Sequence, residues 1–355
     1  MAGSWCSRRL RSARDLRHHG HGSRVDDGIL VAAPRDRARR PPHPTRDTEE
    51  DPVMPVLRRI LCATDLSSAS APAWNFAQRL ARPSGARLIL LHVVPFVPVP
   101  IEGAIDAETY QRLVEDDRQN ALEELDRLSR SVADGAGADV RVEEGPPAPR
   151  ILEAAEREGA DLIVVGTHGR TGLDRLLVGS VAEHVVHLAT RPVVTVRPTA
   201  GGEPSGSLTR LLYPTDFSQT AERAWPWVKL LAEATGAGVD LLHVVREVVT
   251  DREVDPAILA RAAELIRQDA RRTADAFVER SGLPASRVTI HLAGGVEADQ
   301  ISHFAAARHA DLVVMGTHGR TGFLRLALGS VARRVLHHAP CPVLTVGPAV
   351  PPASS

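Results

Sequence analysis

Gly166 to Val186 reads GTHGRTGLDRLLVGSVAEHVV and Gly316 to Leu336 reads GTHGRTGFLRLALGSVARRVL, with 14 of 21 positions identical. Two further marks carry nearly the same period. Leu61–Ser67 (LCATDLS) returns as Leu212–Ser218 (LYPTDFS), and Leu90–Val94 (LLHVV) returns as Leu241–Val245, each at an offset of 151 residues against 150 for the glycine stretch. A period this long is a duplicated globular domain, because solenoid repeats run only about 20 to 50 residues. The expected division is a first domain at 54–198, a Gly- and Ser-rich linker at 199–207, a second domain at 208–348 and a tail at 349–355. Residues 1–53 stand apart: 11 Arg diluted by 8 acidic residues, His18, His19 and His21, and no sustained apolar periodicity. They are expected to form a disordered Arg-rich extension.

Working outward from the glycine stretch, each unit alternates short β-branched runs with helical patterns. In the first unit the runs are Arg59–Ala63, Leu88–Val94, Val140–Glu143, Leu162–Val165 and Val193–Val196. The helical patterns between them are Ala71–Leu80, Ala107–Val132, Ile151–Arg157 and Ser180–Leu188, and the second unit repeats the plan. Strands separated by helices require right-handed crossovers and a parallel sheet covered on both faces, the α/β Rossmann-like class. Ligands of such sheets lie beyond the carboxyl ends of the strands, where strand order reverses.

Composition narrows the function. With 43 basic against 44 acidic side chains, the net charge of -1 gives no field for nucleic acid or an anionic membrane surface. No apolar run reaches the ~18–20 residues of a membrane span. Cys6, Cys62 and Cys341 have neither metal-ligand spacing nor an even-numbered framework, which points to free thiols in a reducing, cytoplasmic setting.

The chemistry stands at the strand ends. The fourth strand of each unit runs into Gly166, two residues, Gly169, nine residues, Gly179-Ser180, and the second unit repeats this spacing with Gly316, Gly319 and Gly329-Ser330. Glycines admit an anion close to backbone N–H groups, and a helix start at Ser180 or Ser330 offers unpaired N–H groups with about half a positive charge. Arg170 and Arg320 add countercharge. Read singly, Gly-x-x-Gly is a tight turn and the Ser an N-cap; two copies agreeing at every glycine favour a polyphosphate cradle. Asp65 and Asp216 close the first strands, where a carboxylate suits the donors of a nucleotide; alternatively, either the aspartate or the Ser two residues on, Ser67 or Ser218, caps the next helix. His92 and His243 read as buried, satisfied rings. No P-loop, dinucleotide fingerprint, nucleophile elbow or zinc-protease motif is present, so neither a catalytic base nor a metal cage is identified.

These residues resemble the universal stress protein family, whose ATP-binding members carry Gly, two residues, Gly, nine residues, Gly-Ser/Thr after the fourth strand. Leu212–Glu222 looks like the opening of the ATP-binding branch; the first unit departs from it at Ala63, where the family often has Pro. The resemblance implies two open five-stranded sheets of order 3-2-1-4-5, and an adenosine held by Asp65 and Val93 in one unit and Asp216 and Val244 in the other. It implies phosphates on Gly166, Gly169, Gly179, Ser180 and Val181, and on Gly316, Gly319, Gly329, Ser330 and Val331, with Mg²⁺ on the phosphate oxygens. It also implies pairing of the two fifth strands in an intramolecular pseudo-dimer, with a homodimer as a further possibility. Two functions follow from this reading: a nucleotide-dependent regulator in the stress response, favoured here, and a slow ATP hydrolase using the same two loops.

Overall fold

A computed structural model describes residues 55–95, 106–130, 137–167, 178–198, 206–245, 255–317 and 328–347. The Arg-rich extension, the tail, most of the linker, and Gly169, Arg170, Gly319 and Arg320 lie outside the described residues. The first unit runs β1 (Arg59–Thr64), α1 (Ala71–Ser84), β2 (Arg87–Val94), α2 (Ala107–Ser129), β3 (Ala138–Glu144), α3 (Pro147–Arg157), β4 (Leu162–Gly166), α4 (Ser180–Leu188) and β5 (Val193–Val196). The second runs β6 (Arg210–Pro214), α5 (Gln219–Glu222), α6 (Trp225–Thr235), β7 (Gly238–Val245), α7 (Pro256–Arg280), β8 (Val288–Gly294), α8 (Glu297–Ala307), β9 (Leu312–Gly316), α9 (Ser330–His338) and β10 (Val343–Val346).

Instead of two separate five-stranded sheets, the strands form one ten-stranded sheet of order β3-β2-β1-β4-β5-β10-β9-β6-β7-β8. Each half keeps the order 3-2-1-4-5 with parallel neighbours, and the halves join where β10 pairs antiparallel with β5. The reason is physical: β5 is wholly buried and β10 nearly so, and an apolar strand edge left open would seek a partner.

Strand alternation sorts the core onto the two faces of this sheet. Ile60, Cys62, Leu90, Val194, Leu211 and Leu344 join one cluster with α1 and α6, while Leu61, Ile89, Leu91, Val193, Leu212 and Val343 join the other with α3, α4, α8 and α9. Both clusters include residues of both halves, so the seam interrupts neither. Burying a side chain such as Ile60 or Leu344 completely is worth about 1.5–3 kcal/mol, and both are 0% exposed.

The halves differ at their first crossover. In the first, α1 is continuous and ends at Gly85, left-handed at φ 67. In the second, the same stretch splits into α5 and α6, with Ser218 capping α5 through the Ala221 N–H.

Candidate nucleotide site

At the carboxyl edge of the first half the sheet brings Asp65, Val93 and Gly166 side by side, because Thr64 pairs with His92 and Ala63 with Val165 in neighbouring strands. This is where strand order reverses between β1 and β4. Asp216, Val244 and Gly316 occupy the same places in the second half.

Neither aspartate caps a helix. Asp65 Oδ1 accepts from the Ser67 N–H at 3.1 Å and the Ser67 hydroxyl at 2.6 Å; Asp216 Oδ1 does the same with Ser218 at 3.0 and 2.6 Å. The residue after each aspartate is left-handed without being glycine: Leu66 at φ 63 and Phe217 at φ 58. Such a backbone costs about 1–2 kcal/mol in an L-residue and persists where its surroundings hold it. The holding group is the preceding threonine, since Thr64 Oγ1 accepts from the Leu66 N–H and Thr215 Oγ1 from the Phe217 N–H, each at 3.0 Å. Sequence reading missed these two turns, and the only available signal was that Thr-Asp precedes a bulky apolar residue in both copies.

His92 is buried as expected while His243 is half-buried, and each ring is held at Nδ1. Their Nδ1–H groups donate to the carbonyls of Thr64 and Thr215 at 2.8 Å, locking β2 to the end of β1 and β7 to the end of β6.

The glycine stretch ends differently from the simple capping alternative. Gly179 and Gly329 are the N-caps of α4 and α9, and Ser180 and Ser330 are the first helical residues, both exposed. Among the described residues neither helix has a side-chain cap, and the N–H groups of each first turn lie at the helix end that adjoins its strand. Each cap is drawn back to its strand: the Gly179 N–H donates to the Thr167 carbonyl at 2.6 Å and that of Gly329 to Thr317 at 2.8 Å. A Cβ on Gly179 would lie 2.9 Å from the Thr167 oxygen, so this glycine is required by packing. Gly316 is likewise crowded, since a Cβ there would stand 2.7 Å from the Thr220 oxygen. Val181 is exposed beside Ser180, and Val331 is half-buried.

The donor set suits an anion: backbone N–H groups, a hydroxyl and a helix N-terminus. Among the described residues no three His, Cys, Asp or Glu side chains group as metal ligands. Cys62 and Cys341 are buried thiols whose burial pushes their pKa up, that of Cys341 to about 12, which makes them inert rather than nucleophilic. A cavity of about 440 Å³ opens on the other side of β2, lined by Val94, Tyr110, Val114, Glu115 and Glu144. Its two carboxylates suit a polyphosphate poorly, so the β1–β4 edge is the better anion site.

A sequence model of the universal stress protein family matches residues 57–197 and 208–347. A universal stress protein of Mycolicibacterium smegmatis is 30% identical over 309 residues, covering 81% of this chain and 97% of that one. One from Methanocaldococcus jannaschii is 39% identical over 147 residues, 40% of this chain and 83% of its own. Among solved structures, a universal stress protein from Archaeoglobus fulgidus superposes with a TM-score of 0.54 at 23% identity, covering 81% of this chain and 96% of that one, a likeness of fold.

Proposed function

The chain belongs to the universal stress protein family, whose model spans both of its halves, and from that premise we propose that each half binds an adenine nucleotide of the ATP class. The observation that carries this reading is the pair of helices that begin at a glycine N-cap tied back to the carboxyl end of the preceding strand, in the same geometry twice. Gly166, Gly179, Ser180 and Val181, with Gly169 and Arg170, would hold the phosphates of the first nucleotide, and Asp65 and Val93 its adenosine. Gly316, Gly319, Arg320, Gly329, Ser330, Val331, Asp216 and Val244 would do so in the second half. Each aspartate already orders its own turn through Oδ1, and Oδ2 would take the ribose hydroxyls. Mg²⁺ would ride on phosphate oxygens rather than in a protein cage.

The role that follows is regulatory: occupancy of the two sites sets which partners the protein engages under stress. The two domains of this reading are 54–198 and 208–348, acting in the cytoplasm. No helix among the described residues is long and apolar enough to cross a membrane.

The test is to purify the chain, denature it, quantify released nucleotide and titrate the protein with ATP by calorimetry. Close to two adenine nucleotides per chain is the expected result. None bound at millimolar ATP overturns the proposal, and sustained phosphate release would move the role toward hydrolysis.

A further inference from the structure

We propose that the seam between the halves is a directional interface, matched to the other half of the duplication and set against a second copy of the same half. This does not depend on the nucleotide reading. The strand pairing itself is indifferent to partner. Val194 faces Leu344, Val193 faces Thr345 and Thr195 faces Val343, so a local twofold axis passes beside the equivalent pair Val194 and Leu344 and relates the two strands. The threonines bond reciprocally, Thr195 to the Val343 carbonyl at 3.4 Å and Thr345 to the Val193 carbonyl at 3.2 Å. Either fifth strand could pair with a copy of itself in this register.

The side chains around the strands break that symmetry. Glu183 on α4 and Arg333 on α9 are equivalent positions of the repeat, and they meet across the seam at 3.4 Å. In a symmetric pair, a residue beside the axis meets its own copy; two first halves would then oppose Glu183 to Glu183, and two second halves Arg333 to Arg333. Like charges so placed reject the wrong partner. On the other face Arg79 of α1 reaches Asp311 at 3.2 Å, both side chains only 12% exposed, and also donates to the Gly206 carbonyl at 2.8 Å. The repeat places Leu230 where Arg79 stands, so a pair of second halves leaves Asp311 without this guanidinium. Arg197 donates to the His337 carbonyl from the first half, and its equivalent is Gly347. The opposition of Glu183 to itself, at a partly exposed position, disfavours a pair of first halves modestly, and all three contacts disfavour a pair of second halves. The partner of each fifth strand is therefore the other half, and any homodimer of whole chains must use a different surface.

Two measurements test this. In the full chain, Glu183→Arg and Arg333→Glu should each lower the thermal midpoint, and the double swap should return it close to the unsubstituted value; losses in the swap that equal the sum of the singles overturn the proposal. In a chain carrying a protease site within 199–205, the folded protein is cleaved, unfolded, refolded and weighed by native mass spectrometry. Pairs of unlike halves should exceed pairs of second halves by about tenfold and pairs of first halves by about two- to threefold, as three modest contacts and one allow, and random proportions overturn the proposal. Should the cleaved halves fail to refold, the charge-swap cycle decides alone.

Discussion

The two halves agree at the ligand edge to within a few tenths of an ångström and disagree almost everywhere else that charge is used. The turn after each first strand, the histidine lock and the glycine cap repeat bond for bond. Away from that edge, Ile89 in the core of the first half is replaced by Asp240 in the second. Asp240 is 3% exposed, and it accepts from His291 at 2.8 Å and Arg210 at 3.1 Å, with Arg308 at 3.5 Å. The two copies have kept the backbone that shapes the site while their cores and seam have become different.

Breaking that difference at Asp240 gives the largest expected effect. Asp240→Ala removes hydrogen bonds to charged groups and leaves His291 and two guanidiniums facing one another, costing about 2–3 kcal/mol in urea unfolding; the exposure of Arg210 and Arg308, near 40%, tempers the loss. Burial works to raise the Asp240 pKa, but hydrogen bonds from His291, Arg210 and Arg308 outweigh it and hold the carboxyl below its ordinary value. The stabilisation is then complete above the unfolded carboxylate pKa and is lost as pH falls through the depressed folded value. The gap between the parent protein and Asp240→Ala should narrow on acidification below about pH 4. A gap that stays constant there would remove the charge from the explanation.

At the ligand edge, likeness is what can be broken. Ser180→Asp places a carboxylate at the first position of α4, where the helix dipole stabilises it by about 0.3–1 kcal/mol while it repels a phosphate. The thermal midpoint should hold or rise, and one nucleotide site should weaken by about tenfold or more, equivalent to ~1.4 kcal/mol. Ser330→Asp should weaken the other site alike. Unchanged affinity in both would mean that phosphates do not reach these helices. Gly179→Val is a poorer test, because its Cβ collides with the Thr167 carbonyl whatever binds.

At the left-handed turns the two halves differ by less. Leu66→Gly relieves backbone strain and loses modest packing, so its net change should stay within about 0.5 kcal/mol. The Phe217 ring packs at a tilt against those of His243, centroids 4.9 Å apart, and Phe277, 5.9 Å apart, and Phe217→Gly should cost about 1 kcal/mol more. Equal effects would show that strain, not ring packing, governs both.

Much of this architecture was legible in the sequence, for identifiable reasons. α4 and β5 have the limits the periodicity predicts, since a β-branched run set between Pro192 and Pro198 and a helix opened by Gly-Ser leave little choice. α1 continues past its expected end at Leu80 to Ser84, carrying Pro83 in its last turn at the loss of one i→i−4 bond, and the left-handed Gly85 stops it. α3 starts at Pro147, ahead of Ile151, with proline preset for a first turn. Asp240 reads as one charge in an apolar strand until its neighbours are known, and Glu183 and Arg333 are two ordinary surface residues until the fold makes equivalent positions face each other. Sequence period reveals where copies agree; the seam depends on where they differ.

The smallest effect concerns a contact that runs one way across that seam. The Val178 N–H, one residue before the Gly179 cap, donates to His337 Nδ1 on α9 of the second half at 3.4 Å. Accepting through Nδ1 leaves the ring proton on Nε2, and the first-half cap is braced by the second half. The equivalent His187 is exposed and makes no matching bond to Leu328 among the described residues. His337→Ala should therefore raise amide hydrogen exchange at Val178 by a few-fold, as loss of one hydrogen bond worth about 0.5–1.5 kcal/mol allows. It should also weaken only the nucleotide site of the first half. Faster exchange with both affinities unchanged would make the brace structural, whereas equal weakening of both sites would mean that His337 acts through the whole seam and that the halves communicate in both directions.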